Sequence, residues 1–332
     1  MRSLVGLFTT LLVATAALYA FSPRTPTPLE STTLPVEEML LTGIAHTSAG
    51  LVTAGELGKI MLSDDQGSTW RQTEIDTQRH ALITRMVFTE EGRLGLAIGH
   101  EGWVLRTTDG GEHWQEVAFD DAFGEPLMDL ARLPSGEWLA IGAFGLVLRS
   151  TDEGLTWEQK PAPEDTDWHL NAIAGSQDQR HWMIVGEAGT VIRSRDGGRS
   201  WEVLPEFYEG SLYGISHLHG GRWVAYGMRG NLFVTQDHGR HWERIQLDAP
   251  ISLHAHLRLN ADTLIIGGQG GVLLATTDRG NTFEMLQSGG SATLTDLYLD
   301  PAGEWWFTTS RGLLRRVNTT PLAQLSDAGA SS

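Results

Sequence analysis

The chain has 332 residues, of which 39 are glycine, 12 are tryptophan and none is cysteine, and it carries a formal net charge of −17. Without cysteine there is no disulfide, thiolate metal site, cysteine nucleophile or lipidated cysteine anchor. Charge of this sign repels nucleic-acid phosphates and anionic membrane surfaces, which sets nucleic-acid binding aside.

At the N-terminus, Met1 and Arg2 precede an apolar run from Leu4 to Phe21, followed by a Pro/Thr-rich stretch from Ser22 to Pro28. A basic start, an apolar run and a polar break read as a signal peptide or signal anchor over residues 1–21, with a linker over 22–30. Ala14 and Ala16 form a small-x-small cleavage pattern, and Ala20 offers a second end. The run is near the lower limit for spanning a bilayer, so cleaved and anchored forms both stay open. Either way the rest of the chain is expected in the periplasm or an equivalent lumenal compartment.

Next comes a repeat. Ser63–Trp70, Thr107–Trp114, Ser150–Trp157, Ser194–Trp201, Thr235–Trp242 and Thr276–Phe283 share Ser/Thr, any, Asp, any, Gly, two variable positions and an aromatic. The aspartates of these Asp boxes are Asp65, Asp109, Asp152, Asp196, Asp237 and Asp278, spaced by 44, 43, 44, 41 and 41 residues. Each box follows a Gly-x-x-Gly and an apolar strand, as in Gly142-Ala-Phe-Gly145. Earlier in each unit stands an apolar pair at i and i+3, from Leu41/Ile44 to Leu294/Leu297; the sixth pair has His256 in the apolar place. Short turn-bounded strands at this period predict an all-β, seven-bladed β-propeller of four-stranded antiparallel blades over residues 31–318. A four-stranded sheet cannot bury both faces alone, and a ring of such sheets leaves no blade uncovered.

The last unit lacks a box: Asn318-Thr-Thr stands where one is due. Its outer strand is expected from Ser31–Val36, which would clasp the ring, or from Pro321–Leu325. Residues 319–332 read as a disordered or loosely packed tail.

Each box is expected in the hairpin between third and fourth strands. Its carboxylate accepts backbone N–H bonds as an Asx turn does, its Gly supplies positive φ, and Trp70, Trp114, Trp157, Trp201, Trp242 or Phe283 packs between blades. One regularly placed acid per box is too few for a calcium loop.

The boxes resemble BNR repeats. The longer phrases IGHEGWVLRTTDGGEHW (98–114) and IGAFGLVLRSTDEGLTW (141–157) resemble the photosystem II stability/assembly factor family, over about residues 34–317. That resemblance implies a seven-bladed, chaperone-like factor acting in early photosystem II reaction-centre assembly, with an arginine-rich patch. In this chain Arg106, Arg149 and Arg193 stand directly before three consecutive boxes, with Arg315 or Arg316 as a further equivalent. Leu62, Val234 and Ala275 interrupt the series.

Two partner surfaces follow. One is that arginine series, a cationic stripe suited to carboxylates unless blade acids pair it. The other is the face of the loops between second and third strands, with Phe144, Met228, Arg229 and Arg311 as its pointed residues; varied side chains on a repeating frame suit recognition. The partner class is a protein, specifically a membrane protein or membrane complex.

Catalysis is not favoured. A sialidase needs an arginine triad, a Tyr–Glu pair and an acid/base Asp, whereas the Tyr208 cluster with Glu206 and Glu209 reads as a solvated loop. A BNR-type carbohydrate-binding or glycoside-hydrolase protein is the alternative. His217/His219 and His254/His256 are i, i+2 pairs that share a strand side and read as channel-lining or turn residues, with a joint metal site as the sharper option. No cofactor or metal is expected.

Overall fold

The computed structural model describes residues 2–20, 35–119, 124–162, 167–247 and 250–316. The chain divides into two units, Met1–Leu34 and Pro35–Ser332. In the first, Arg2–Ala20 is an α-helix with Phe8, Leu11, Leu12, Val13 and Tyr19 exposed. No described helix is long and apolar enough to cross a membrane.

The second unit is a seven-bladed β-propeller. Blade 3 serves as the pattern: Leu127–Arg132, Trp138–Gly142, Val147–Ser150 and Glu158–Lys160 pair antiparallel in that order, from the ring's centre outward. The innermost strands of blades 1, 2, 4, 5, 6 and 7 are Leu41–Thr47, Ile83–Phe88, Leu170–Gly175, Leu212–His219, Leu253–Arg258 and Leu294–Leu299. Blade 7 packs against blade 1, which closes the ring. Blade 2 gains a fifth strand, Glu74–Ile75, parallel to the start of its outer strand. Blade 7 has three strands among the described residues.

Closure explains the strand sequences. The second strands of blades 2, 3, 4, 6 and 7 are buried at every residue. Both their faces meet a neighbouring blade, so those of blades 2, 3, 4 and 6 are continuous apolar runs without the alternation of a half-exposed strand, and that of blade 7 ends in buried Thr308 and Thr309. The core is therefore a set of layers between blades. Trp114 of blade 2 packs with Val52, Ile60 and Leu62 of blade 1, and Trp242 of blade 5 packs with Met183 and Val185 of blade 4.

The repeated turns supply those aromatics. In blade 3, Asp152 Oδ1 accepts from Ser150 Oγ at 2.8 Å and from Thr156 N at 2.9 Å, while Oδ2 accepts from the Thr156 hydroxyl at 2.6 Å. Ser150 Oγ in turn accepts from Gly154 N at 2.9 Å. Those hydroxyl and amide donors hold the Asp65, Asp152 and Asp196 carboxyls down at about 2. Two consecutive residues, Glu153 and Gly154, have positive φ; His238–Gly239 and Arg279–Gly280 repeat this. The turn then delivers Trp157, whose indole N–H donates to Gly154 O at 3.1 Å.

One feature departs from simple pleating. Every innermost strand carries a register shift between its first and third residues. The extra residue is a β-bulge, and it turns Thr42, Thr84, Met128, Asn171, Tyr213, His254 and Thr295 toward the axis.

The seam between the chain's two ends is bonded like the other joints. Thr42 Oγ1 donates to Ile83 O at 2.7 Å and Thr84 Oγ1 to Leu127 O at 2.7 Å, each from one blade to the next. Thr295 Oγ1 of blade 7 donates to Leu41 O of blade 1 at 2.6 Å. Farther out, Leu313 N donates to Val36 O at 2.9 Å, so the start of the propeller borders the last described strand. Of the expected closing strand Ser31–Val36, residues 31–34 lie outside the described residues, and Pro35 and Val36 begin a turn rather than a strand. Pro321–Leu325 and the tail also lie outside the described residues.

Candidate functional site

Strand direction gives the ring two faces. The aspartate turns join third to fourth strands on one face. On the other lie the Gly-x-x-Gly loops between second and third strands, around the mouth of the central channel.

The loop geometry repeats six times. The first glycine is extended and leaves no room for a side chain: a Cβ on Gly142 would sit 2.3 Å from Pro126 O, and one on Gly55 would sit 2.0 Å from Leu40 O. The third residue is left-handed: Leu57, Glu101, Phe144, Ala188 and Arg229 have φ of 50–61°, and Gly270 has 68°. A left-handed non-glycine residue costs about 1–2 kcal/mol, and five of the six loops carry that cost. Leu57 is 45% exposed, Phe144 56% and Trp168 51%. Phe144 stands edge-on to His169, with ring centroids 4.8 Å apart, and Gly145 N donates to Trp168 O at 2.9 Å. An aromatic patch thus sits where blade 3 meets blade 4.

Met228 is half-buried, its sulfur 3.5 Å from Ser211 N, while Arg229 and Arg311 are exposed. The face therefore gathers Phe144, Arg229 and Arg311 outward and turns Met228 partly inward.

The arginine series has a different environment. Arg193 is 2% exposed. Its Nε and Nη2 donate to Glu202 Oε1 at 2.9 and 2.7 Å, and Nη1 donates to His238 O in the next blade's turn. Arg106 Nε donates to Glu153 O of the following blade at 2.9 Å, and Nη2 lies 3.7 Å from the Glu153 carboxylate. Arg149 pairs with Glu137 within its own blade. Arg315 pairs with Glu304. Arg193 presents no donor to a partner, and Arg106 and Arg193 tie blade to blade through the carbonyl that follows the turn aspartate. Arg222 does the same, donating to Arg279 O at 2.8 Å.

The channel holds charged residues that sequence reasoning did not single out. Arg85 of blade 2 lies between Asp129 of blade 3 and Asp296 of blade 7, with Arg85 Nε 3.3 Å from Asp129 Oδ1. Asp129 accepts from Leu130 N at 2.8 Å and from Ile173 N of blade 4 at 2.9 Å. Asp296 accepts from Leu297 N at 2.9 Å and from Ile44 N of blade 1 at 3.2 Å. Desolvation by the channel wall pushes both carboxyls up, and Arg85 pulls them back.

His256, at the apolar place of its strand, bonds Tyr226 Oη through Nδ1 at 2.6 Å. Burial lowers this imidazole to about 4. His254 stacks on Tyr213 at 5.3 Å at the channel mouth. His217 instead packs against Trp223 and bonds Gly220 O, so the two histidine pairs do not gather. Among the described residues no group of histidine and acid side chains is arranged to hold a metal. Tyr208 differs from its expected solvated loop. It packs on Phe233 at 4.9 Å and accepts from Asn231 Nδ2 at 2.8 Å, as an interblade residue.

No family model and no curated protein matches the chain. Solved structures do. A structure described as YCF48 bound to D1 peptide aligns at TM-score 0.67 and 17% identity, over 90% of this chain and 97% of that one. YCF48 from Cyanidioschyzon merolae aligns at TM-score 0.68 and 15% identity, over 85% and 96%. The GH74 xyloglucanase from Xanthomonas campestris aligns at TM-score 0.66 and 14% identity, over 85% of this chain and 52% of its own. At these identities the likeness is one of fold.

Proposed function

We propose that this chain is a non-catalytic, exported scaffold whose loop face captures a protein partner from a membrane complex, in the manner of photosystem II assembly factors. The observation that carries the reading is the exposed aromatic patch of Phe144, on a loop whose first glycine leaves no room for a side chain, and Trp168, in the connection beside it. Large apolar groups exposed together on a rigid frame are costly unless something covers them. YCF48 bound to D1 peptide supports the partner class by fold likeness alone. The compartment, periplasmic or lumenal, follows from the reading of residues 1–21 as a signal segment.

A photo-crosslinking residue at position 144, in the full chain in native membranes, tests this. Capture of a membrane protein from position 144 but not from Arg199 on the opposite face supports the reading. Equal capture from both positions, or none from 144, removes it.

A carbohydrate-acting role is the second reading, favoured by the GH74 fold likeness and by an exposed Trp–Phe pair suited to stacking on sugar rings. Hydrolysis itself is disfavoured. A glycosidase needs one carboxyl free to move a proton and another to attack or activate water. Asp129 and Asp296 are each bound by two backbone amides and share Arg85. Titration with xyloglucan oligosaccharides separates the readings, since only a sugar binder gives saturable binding lost in Trp168→Ala.

A further inference from the structure

We propose that the cleft between blades 6 and 7 is a binding site for an apolar carboxylate, an acid group carried on a short aliphatic or aryl tail. This inference does not rest on the partner reading above.

The cleft arises from a local difference in sequence. Between blades 4 and 5 the connection after the outer strand carries Phe207 and Tyr208, which pack on Phe233 at 5.0 and 4.9 Å. Between blades 5 and 6, Leu247 and Ile251 fill the equivalent layer. After the outer strand of blade 6, Glu284–Gln287, the chain reads Ser288-Gly289-Gly290-Ser291-Ala292. None of these side chains is larger than alanine or serine, so they leave the layer unfilled. Among the described residues a cavity of about 270 Å³ remains, walled by Leu273, Leu294, Phe307 and Leu314. Leu314 is left 42% exposed. An apolar cavity of roughly 150 Å³ holds a benzene ring, so this one has space for a somewhat larger tail.

The rim supplies the charge. Arg311 and Arg316 both line the cleft. Arg316 lies over the Phe307 ring at 5.7 Å and donates to Gln287 Oε1, while Gln287 Nε2 donates to Gly271 O at 2.8 Å. Arg311 Nη1 reaches only Ser291 Oγ, at 3.4 Å. Among the described residues neither guanidinium has an ion pair with a carboxylate, although the chain carries a net charge of −17. Arg106, Arg149, Arg193 and Arg315 all have one. Two guanidiniums beside an apolar cavity, with no carboxylate partner among the described residues, match a ligand with one carboxylate and one greasy end.

Isothermal titration of the full chain with octanoate tests this, with octanol as the uncharged control. Two peptides ending in leucine, one with a free carboxylate and one amidated, decide whether the acid belongs to a small amphiphile or to a chain terminus. The expected result is saturable binding of octanoate or of the free-acid peptide. Arg311→Gln with Arg316→Gln should weaken that binding at least tenfold. Ala292→Phe should abolish it while raising the Tm, because the ring fills the cavity as Phe207 does elsewhere. Binding of octanol as tight as that of octanoate, binding unchanged in Ala292→Phe, or no binding of either acid overturns the proposal. So does binding that emerges only when residues 317–332 are deleted, since the chain's own tail would then be the occupant.

Discussion

The two faces of the ring use one backbone device and put it to opposite ends. On the aspartate-turn face, His238 is left-handed and followed by left-handed Gly239; on the loop face, Phe144 is left-handed and followed by left-handed Gly145. His238 turns inward. It stacks on His181 at 3.8 Å, contacts the Trp223 indole, and gives its carbonyl to Arg193. Phe144 turns outward and is more than half exposed. The paired positive-φ residues are thus a way to aim a side chain, and sequence decides whether the aim serves packing or contact.

Four experiments press on that contrast. The largest effect is expected from Trp114→Ala, which empties a fully buried site between blades 1 and 2. It should cost about 3–5 kcal/mol in urea unfolding, against within about 0.5 kcal/mol for Phe144→Ala on the other face. Comparable losses in both would erase the distinction between the faces.

Asp152→Ala comes next. It removes bonds to Ser150 Oγ, Thr156 N and Thr156 Oγ1, and a loss of about 1–3 kcal/mol is expected by the same measurement. An unchanged midpoint would mean that the glycine and aromatic alone make the turn.

The third is pH. Burial, followed by the neighbouring His181 and His217, lowers His238 to about 4, and Asp178 opposes this. The folded state therefore holds a neutral ring where the unfolded chain, with an ordinary histidine near 6.5, takes up a proton. Stability should fall as pH drops from about 6.5 to about 4 and be regained above that window. His238→Phe should flatten that part of the pH–Tm curve; an identical slope would locate the effect elsewhere.

The smallest is Phe144→Gly. It relieves a left-handed phenylalanine and adds chain entropy to the unfolded state, so stability should change by less than about 1 kcal/mol. Crosslinking of a variant carrying the probe at Arg229 should nonetheless drop. Partner capture as strong as before would take Phe144 out of the contact.

Much of the ring was legible in the chain. The six aspartate turns, their period and the Gly-x-x-Gly loops mark six blades and each loop's face, and the apolar pair Leu294/Leu297 adds the seventh. The apolar pair at i and i+3 also encodes the bulge. On a period-two strand those positions fall on opposite sides, and only an inserted residue brings them together. That inserted residue is the bulge seen in every innermost strand. Arg85, Asp129 and Asp296 were not legible, because they sit in blades 2, 3 and 7 and meet only once the ring is closed. The arginine series was visible as a period, but Arg193 is buried and Arg106 is tied to the next blade. Arg106 and Arg193 lie where the next blade's turn offers a carbonyl, a relation the linear sequence does not display. Trp168 carries no pattern at all; it stands in a connection between blades, and only its exposure beside Phe144 marks it.

The seam at Thr295 and Leu41 has a topological consequence. Its hydroxyl-to-carbonyl bond is of the same kind as those across the peptide-linked joints at Thr42 and Thr84. Asp296 with Ile44 likewise repeats Asp129 with Ile173. The assembled wheel therefore does not depend on which spoke is synthesised first. A circular permutant of the propeller, with Arg316 linked to Pro35 and new ends cut between Ile245 and Ile251, should assemble the same wheel from a different starting point.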